Sequence, residues 1–386
     1  MWGLPVDDSS FVVTVIWVVC VACFVCAGFI ALSHNWWRAL VRQGDIGAVQ
    51  AAHATPTPRI GGVAILLAFF IGSWLVFSGD HSLWYMLALS VAPLFLSGVA
   101  EDLGLRVSPV GRLGAALLSA ALAVLLTGAW ISETGVFPLD FLFAWAPIAV
   151  LITVVAASTI SHSFNLIDGL NGLSGFTAVF ASFGIAVTAV SVGDGEIAAI
   201  AVLLAAATTG FLMLNFPSGK IFLGDAGAYS LGFLLAWLAI TLSSRNADVT
   251  PIAMVLILFW PLADLSLAIY RRYRNKLPVS QPDRLHFHQL AMRGLEICVL
   301  GRGRRKAANP LATLVLMPLI AAPMVFGAWL HANPALATVA LVAFFGIFFA
   351  TYGLGMRLAT SRSKSSSVSA FASRFSNQDR PKSKPA

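Results

Sequence analysis

Residues 146–192 read APIAVLITVVAASTISHSFNLIDGLNGLSGFTAVFASFGIAVTAVSV. Two apolar runs, 146–164 and 173–192, flank a short polar insert holding one acid, two asparagines and several glycines. Each run is long enough to cross a bilayer as a helix. An insert this short can only turn the chain back, so the stretch predicts two antiparallel membrane helices. The insert carries neither Lys nor Arg from Ser161 to Gly175, so fixing membrane orientation is not its task. Its glycines let backbone approach a ligand closely. Asn165, Asp168 and Asn171 recur every three residues, so one helical turn or loop can present them together.

The same pattern extends outward. The chain of 386 residues is 58% hydrophobic and 11% charged, and a soluble domain carries about twice that charge. Eleven apolar segments are read, near 11–33, 60–78, 83–100, 115–130, 146–164, 173–192, 196–215, 228–244, 249–270, 310–332 and 335–356. The fold class expected is an all-α polytopic membrane protein of about 11 transmembrane helices. The first run follows Asp7 and Asp8, lacks a basic leader and has no small-residue cleavage site, so it is read as a span rather than a signal peptide. Cys20, Cys23 and Cys26 lie inside that run without a His or charged partner and are read as small apolar residues. No disulfide framework is expected.

Orientation follows from the basic residues. With the N-terminus outside, 23 of the 24 Lys and Arg fall in inner loops, and only Arg245 is left outside. The N-terminus is therefore expected outside and the C-terminus in the cytoplasm. The outer acids, among them Asp140, Asp194 and Glu196, are read as solvated caps. Residues 1–357 are expected to form one membrane domain and 358–386 a disordered, basic, Ser-rich cytoplasmic tail.

The remaining polar text gathers at the inner ends of the spans. HATPTPRIGG (53–62) offers Arg59 on a proline-stiffened loop. GVAEDLGLRVSPVGRLG (98–114) offers Glu101 and Asp102, with Arg106 and Arg112 following. LNFPSGKIFLGDAGAYSLG (214–232) sets Asp225 in a glycine-lined turn at a helix start, where backbone N–H groups can receive phosphate oxygens. PLADLSLAIYRRYRNKLPVSQPDRLHFHQL (261–290) carries an intramembrane acid, Asp264, functional or paired by default. Arg271, seven residues on, is its candidate partner. Asp283, Arg284, His286 and His288 follow. His-x-His could ligate zinc but has no third partner nearby, and histidine with arginine suits phosphate better. Carboxylates on flexible turns suit Mg²⁺, a hard cation that keeps substrate phosphate in its shell. A site at the membrane edge suits one soluble phosphorylated substrate and one lipidic one.

Read in order, PTPRIGG, AEDLGLRVSP, NLIDGLNGL, FLGDAGAYSLG and PLADLSLAIYRR…PDRLHFHQ resemble the signature blocks of the polyprenyl-phosphate N-acetylhexosamine-1-phosphate transferases. The resemblance covers roughly residues 50–300. It is nearest to the bacterial undecaprenyl-phosphate GlcNAc-1-phosphate transferases that start O-antigen and related cell-surface polymers. The peptidoglycan branch carries three consecutive histidines, which this chain lacks. Three positions depart from the family pattern: Glu101 stands in place of an aspartate, Asn171 replaces the second aspartate of DGxDG, and Gln289 ends the histidine block.

The resemblance implies transfer of GlcNAc-1-phosphate from a UDP-sugar to undecaprenyl phosphate. The lipid phosphate oxygen attacks the β-phosphorus, one anhydride bond forms, another breaks, and UMP leaves. It implies Mg²⁺, with Mn²⁺ as the alternative ion, held by Asp225 with Asn165. Asp102, Asp168, Glu101, His286 and His288 are the expected catalytic group. Arg59, Arg112, Asn171, Asn215, Asp264 and Arg284 are the expected substrate contacts. A homodimer in the bacterial inner membrane and no nucleic-acid partner are expected. The alternatives are another UDP-amino sugar, such as a deoxy-amino sugar or UDP-MurNAc-pentapeptide, and a non-enzymatic transporter or flippase.

Overall fold

The computed structural model describes residues 7–33, 57–77, 82–276, 286–301 and 303–376, and of 358–376 only the backbone. Every regular element among them is a helix. In chain order these are α1 (Asp8–Ser33), α2 (Gly61–Val76), α3 (Ser82–Asp102), α4 (Pro109–Thr127), the short α5 (Asp140–Phe143), α6 (Ala146–Ile167) and α7 (Leu173–Ser191). Then come α8 (Gly195–Asn215), α9 (Gly224–Arg245), α10 (Pro251–Ile257), α11 (Phe259–Asn275), α12 (Phe287–Leu295), α13 (Arg305–Trp329) and α14 (Pro334–Ser376). One π turn, Glu296–Leu300, extends α12. The protein is a multi-pass membrane protein.

Nine of these helices are long and apolar enough to cross a bilayer: α1, α3, α4, α6, α7, α8, α9, α13 and α14. Two expected spans differ from that form. The segment read as 60–78 is the 16-residue α2, about 24 Å long at 1.5 Å per residue and shorter than the roughly 30 Å hydrocarbon core. The segment read as 249–270 is no single rod. α10 and α11 meet at 83°. Pro261, in the first turn of α11, has no N–H to give the Ile257 carbonyl four residues back, and its ring crowds that carbonyl. The helical ladder therefore breaks at Leu258.

The helices are sorted by polarity. α1 is the most hydropathic of the spans, yet few of its residues are buried by protein, as its lipid-facing position requires. α9 is among the least hydropathic and is buried continuously from Gly224 to Leu242. It is rich in Gly, Ala and Ser, which let neighbouring backbones come close. α3 and α6 pack most closely on it, with α2, α4, α7, α8 and α10 completing its surroundings. A Cβ on Gly62 would lie 2.2 Å from Gly227 Cα, and one on Gly98 would lie 2.4 Å from Ala226 Cα. α2 and α3 thus press directly on the first turn of α9.

At the other end of α9, one of the acids read as caps does cap a helix and another forms an ion pair. Asp194 accepts from Ile197 N at 3.1 Å at the start of α8, and Arg245 pairs with Glu196 at 2.8 Å. α14 stays helical in backbone as far as Ser376. The tail's side chains lie outside the described residues.

Candidate active site

Asp225 occupies the first turn of the central helix, and four elements converge on it. The segment before α2 is held beside the segment before α9 by three backbone bonds. Phe222 N donates to Pro58 O, Gly61 N to Phe222 O and Gly62 N to Leu223 O, each at 2.9 Å. This pairing delivers Arg59, whose Nη2 lies 3.1 Å from Asp225 Oδ1. From α4, Arg112 Nη1 lies 3.3 Å from Asp225 Oδ2. From α6, Asn165 donates its amide N–H to Asp225 Oδ1 at 3.3 Å. The carboxylate is thus ringed by two guanidinium groups and an amide, and it is buried.

Asp102 ends α3 and reaches the start of α9. Its two carboxylate oxygens accept from Asp225 N and Ala226 N, both at 2.9 Å. A side chain from another helix therefore caps α9, where N–H groups lack intrahelical partners and the helix dipole favours negative charge. Gly224 makes this possible. Its φ is +76°, and a Cβ there would meet Arg59 O at 2.3 Å and Asp102 Oδ2 at 2.6 Å. Glu101 turns to its own loop: Oε2 accepts from Val107 N at 2.7 Å, and Oε1 lies 3.9 Å from Arg112.

Asp168 follows α6 directly. Ser174 donates its hydroxyl to Oδ1, and Oδ2 has no hydrogen bond among the described residues. Burial pushes this carboxyl up to about 6, against the Ser174 hydrogen bond and the charge of Arg59, which both favour ionisation.

Asn171 and Asn215 are both 5% exposed and spend their amides on backbone. Asn171 Nδ2 donates to Pro217 O at 2.8 Å. Asn215 accepts from Gly172 N at 2.6 Å and donates to Ile221 O at 2.7 Å. Asn309 and Thr313 on α13, which the sequence reading passed over, grip the same loop. Asn309 Oδ1 accepts from Asn171 N, and Thr313 donates to Asn171 O, both at 2.8 Å. Truncating Asn215 to alanine would strand a buried N–H and a buried C=O. We expect a loss of about 1–3 kcal/mol, read as a lower thermal midpoint in detergent.

The histidine block docks from α12. Asp264 is fully buried, and its partner is His286 rather than Arg271. His286 Nδ1 sits 2.8 Å from Oδ2, and Phe287 N donates to Oδ1 at 2.9 Å. Arg271 instead donates to the Tyr352 hydroxyl at 2.9 Å. Periodicity proposed Arg271 because it shares a helix face, but the start of α12 reaches Asp264 and offers a closer donor. With both oxygens filled and no exposure, Asp264 faces His286 and Phe287 N in this structure rather than an open site. His288 is also fully buried. A Cβ on Gly169 would lie 2.5 Å from its Nε2, so its ring rests on the loop that carries Asp168. Arg284 lies outside the described residues.

No three His, Cys, Asp or Glu side chains among the described residues converge as a metal cage. Mg²⁺ does not require one. It is commonly held by one or two carboxylates, with water and substrate phosphates filling the shell. Asp225 and the neighbouring amide oxygen of Asn165 supply hard oxygen donors of that kind.

A family model described as glycosyl transferase family 4 matches residues 83–243, from α3 through α9, and so spans Glu101, Asp102, Arg112, Asn165, Asp168 and Asp225. The chain is 32% identical over 258 residues to a probable undecaprenyl-phosphate N-acetylglucosaminyl 1-phosphate transferase of Bacillus subtilis (strain 168), covering 64% of this chain and 70% of the relative. It is 30% identical over 326 residues to a decaprenyl-phosphate N-acetylglucosaminephosphotransferase of Mycobacterium leprae, covering 74% and 77%. It is 24% identical over 247 residues to an undecaprenyl-phosphate alpha-N-acetylglucosaminyl 1-phosphate transferase of Escherichia coli O157:H7, covering 62% and 66%. With its polar groups gathered around the first turn of a buried central helix, and with relatives matched over most of their length, the chain belongs to glycosyl transferase family 4.

Proposed function

We propose that the protein transfers GlcNAc-1-phosphate from UDP-GlcNAc to a polyprenyl phosphate, undecaprenyl phosphate in the first instance, and releases UMP. The reaction would begin a cell-surface polysaccharide. Family membership sets the protein among sugar-phosphate transferases rather than transporters. The observation that carries the reading is the convergence of Arg59, Arg112 and Asn165 on Asp225. That arrangement has the charges needed to hold a pyrophosphate and the oxygens needed to hold its metal. We place the site at the cytoplasmic face of the bacterial inner membrane, N-terminus outside, on the distribution of basic residues.

The chemistry asks for charge neutralisation, in-line alignment and a held lipid head group. Arg59 and Arg112 are positioned to pass from Asp225 to phosphate oxygens as the substrates enter, since guanidinium pairs with either. Asp225 with Asn165 would hold Mg²⁺, which when bound supplies Lewis-acid polarisation of the pyrophosphate and a template for it. Asp102 fixes where Asp225 stands. A phosphate's second pKa is near 6, so the attacking lipid oxygen is already ionised at neutral pH and no strong base is required. Asp168, with its unbonded oxygen, serves as an ionised acceptor that orients the donor.

This assignment has a pH signature. The pKa of Asp168 is raised to about 6, so the side chain is ionised above that pH and protonated below it. The lipid phosphate titrates in the same range. Both must be ionised, so UMP release should fall on the acid side with a slope approaching two. Asp168→Asn should lose activity by about 10²-fold, the scale of a misplaced reactant, and its acid limb should have a slope of one. A wild-type limb of slope one, unchanged by the substitution, would take Asp168 out of the reaction. The reaction itself is tested with purified protein, a polyprenyl phosphate and a panel of UDP-sugars. UMP should appear with UDP-GlcNAc and need neither ATP nor an ion gradient. A silent panel would remove the reading.

A further inference from the structure

One turn further into the bundle, α6 and α9 each carry a second polar ring that the mechanism above leaves idle. His162 precedes Asn165 by three residues, and Tyr229 follows Asp225 by four. At those spacings each shares a helix face with its neighbour in the site. The two rings meet edge to face, their centroids 5.0 Å apart and their planes at 76°. His162 Nε2 is shut off from solvent and has no hydrogen-bond partner among the described residues. Tyr229 is 3% exposed, and its ring meets the His162 ring. The charges of Arg112 and Asp225 act on His162, and those of Asp225, Arg112, Glu101 and Asp102 act on Tyr229. Tyr229 belongs to the buried core, and one helical turn separates the pair from Asn165 and Asp225, so it lies where that core meets the carboxylate–arginine cluster. Buried polar atoms are as a rule hydrogen-bonded; an incoming oxygen acceptor would satisfy His162 Nε2, with the Tyr229 hydroxyl on the neighbouring ring as a second donor.

We propose that His162 and Tyr229 form a second polar layer of the transfer site, donating Nε2–H and O–H hydrogen bonds to a phosphoryl oxygen. The inference rests on the transferase reading and deepens it. Phosphoryl oxygens come from two sources, the acceptor's phosphate and the donor's pyrophosphate. The layer lies one helical turn beyond Asn165 and Asp225, on the side away from the loops that admit a soluble nucleotide. That depth favours the acceptor, whose hydrocarbon chain lies in the membrane. The donor groups are neutral and compact, so they can orient an anion that Arg59 and Arg112 neutralise.

The test uses ring-preserving variants of the full chain in detergent. Tyr229→Phe removes only the hydroxyl, and His162→Phe keeps an aromatic edge but loses the nitrogen. His162→Gln puts back an amide donor. For each, kcat and KM are measured against polyprenyl phosphate and against UDP-GlcNAc, beside the thermal midpoint. Both Phe variants should keep the midpoint and lose about tenfold or more in kcat/KM for the polyprenyl phosphate, the scale of one hydrogen bond to a charged group. His162→Gln should recover part of the loss. A loss confined to UDP-GlcNAc would uphold the phosphoryl contact and move it to the donor. Unchanged kcat/KM for both substrates would overturn the proposal and leave the pair as packing. If His162→Phe does not fold, Tyr229→Phe decides alone. A wild type that makes no UMP would sink the transferase reading and this layer together, whereas variant results in an active wild type bear on the layer only.

Discussion

Replacing Asp225 with asparagine should cut UMP release by about 10³-fold, the scale on which a fixed charge stabilises a transition state, while the protein still inserts and folds. The substitution keeps the shape. The residue's backbone N–H still reaches Asp102, so the start of α9 stays where it is. What disappears is one negative charge between Arg59 and Arg112. Two consequences follow, and they separate in measurement. The proposed metal site loses the Asp225 carboxylate, so added Mg²⁺ should not restore turnover. The guanidinium groups lose their resting partner, so they remain available to phosphate, and UDP-GlcNAc should still bind. The defect should therefore appear in kcat far more than in KM. Near-normal turnover in membranes, or rescue by excess Mg²⁺, would take Asp225 out of the metal site. A protein absent from the membrane would instead mean that the charge is needed for folding.

Much of this site can be read before any coordinates, and the parts that cannot share a cause. Apolar run length marks the spans because a bilayer imposes it, so the eleven expected segments recur as nine full helices, the bent α10–α11 pair and the short α2. The glycine-flanked Asp225 stands out because a carboxylate at a helix start is chemically unusual in such text. Partner choice is harder. Asp102 and Asp225 are 123 residues apart, and nothing in either motif says that one caps the helix bearing the other. Asn171 and Asn215 look like ligand contacts in a greasy chain, yet a tightly folded buried loop has backbone groups of its own to satisfy, and an amide offers both a donor and an acceptor. Asn309 and Thr313 lie four apart in an apolar helix. That shared face was the available signal for a loop-gripping pair. His162 sits inside the stretch that reveals the fold, but one histidine on a helix carries no pattern until Tyr229 is seen against it.

Asp264 supplies the sharper test of how the histidine block works. The carboxylate is wholly enclosed and receives Phe287 N–H and His286 Nδ1, with His288 Nδ1 at 3.7 Å. Phe287 in turn packs on Trp260 and Phe348, ring centroids 5.5 and 4.9 Å away. Asp264→Ala should cost about 3–5 kcal/mol, because removing one side of a buried, hydrogen-bonded pair strands the other. Asp264→Asn should cost less. Its amide oxygen can still accept from Phe287 N, and neutral His286 can move its proton to Nε2 so that Nδ1 accepts from the amide. Thermal unfolding in detergent orders the three proteins. Activity should follow the same order, because α12 carries His288 onto Gly169, the residue after Asp168. A loosened α12 therefore misplaces the Asp168 loop without any loss of Asp168 itself. If the alanine protein melts with the wild type, the carboxylate is not a latch. If the asparagine protein is as stable as wild type yet inactive, the charge at 264 does more than hold α12, and His286 is then the group through which it would reach the substrates.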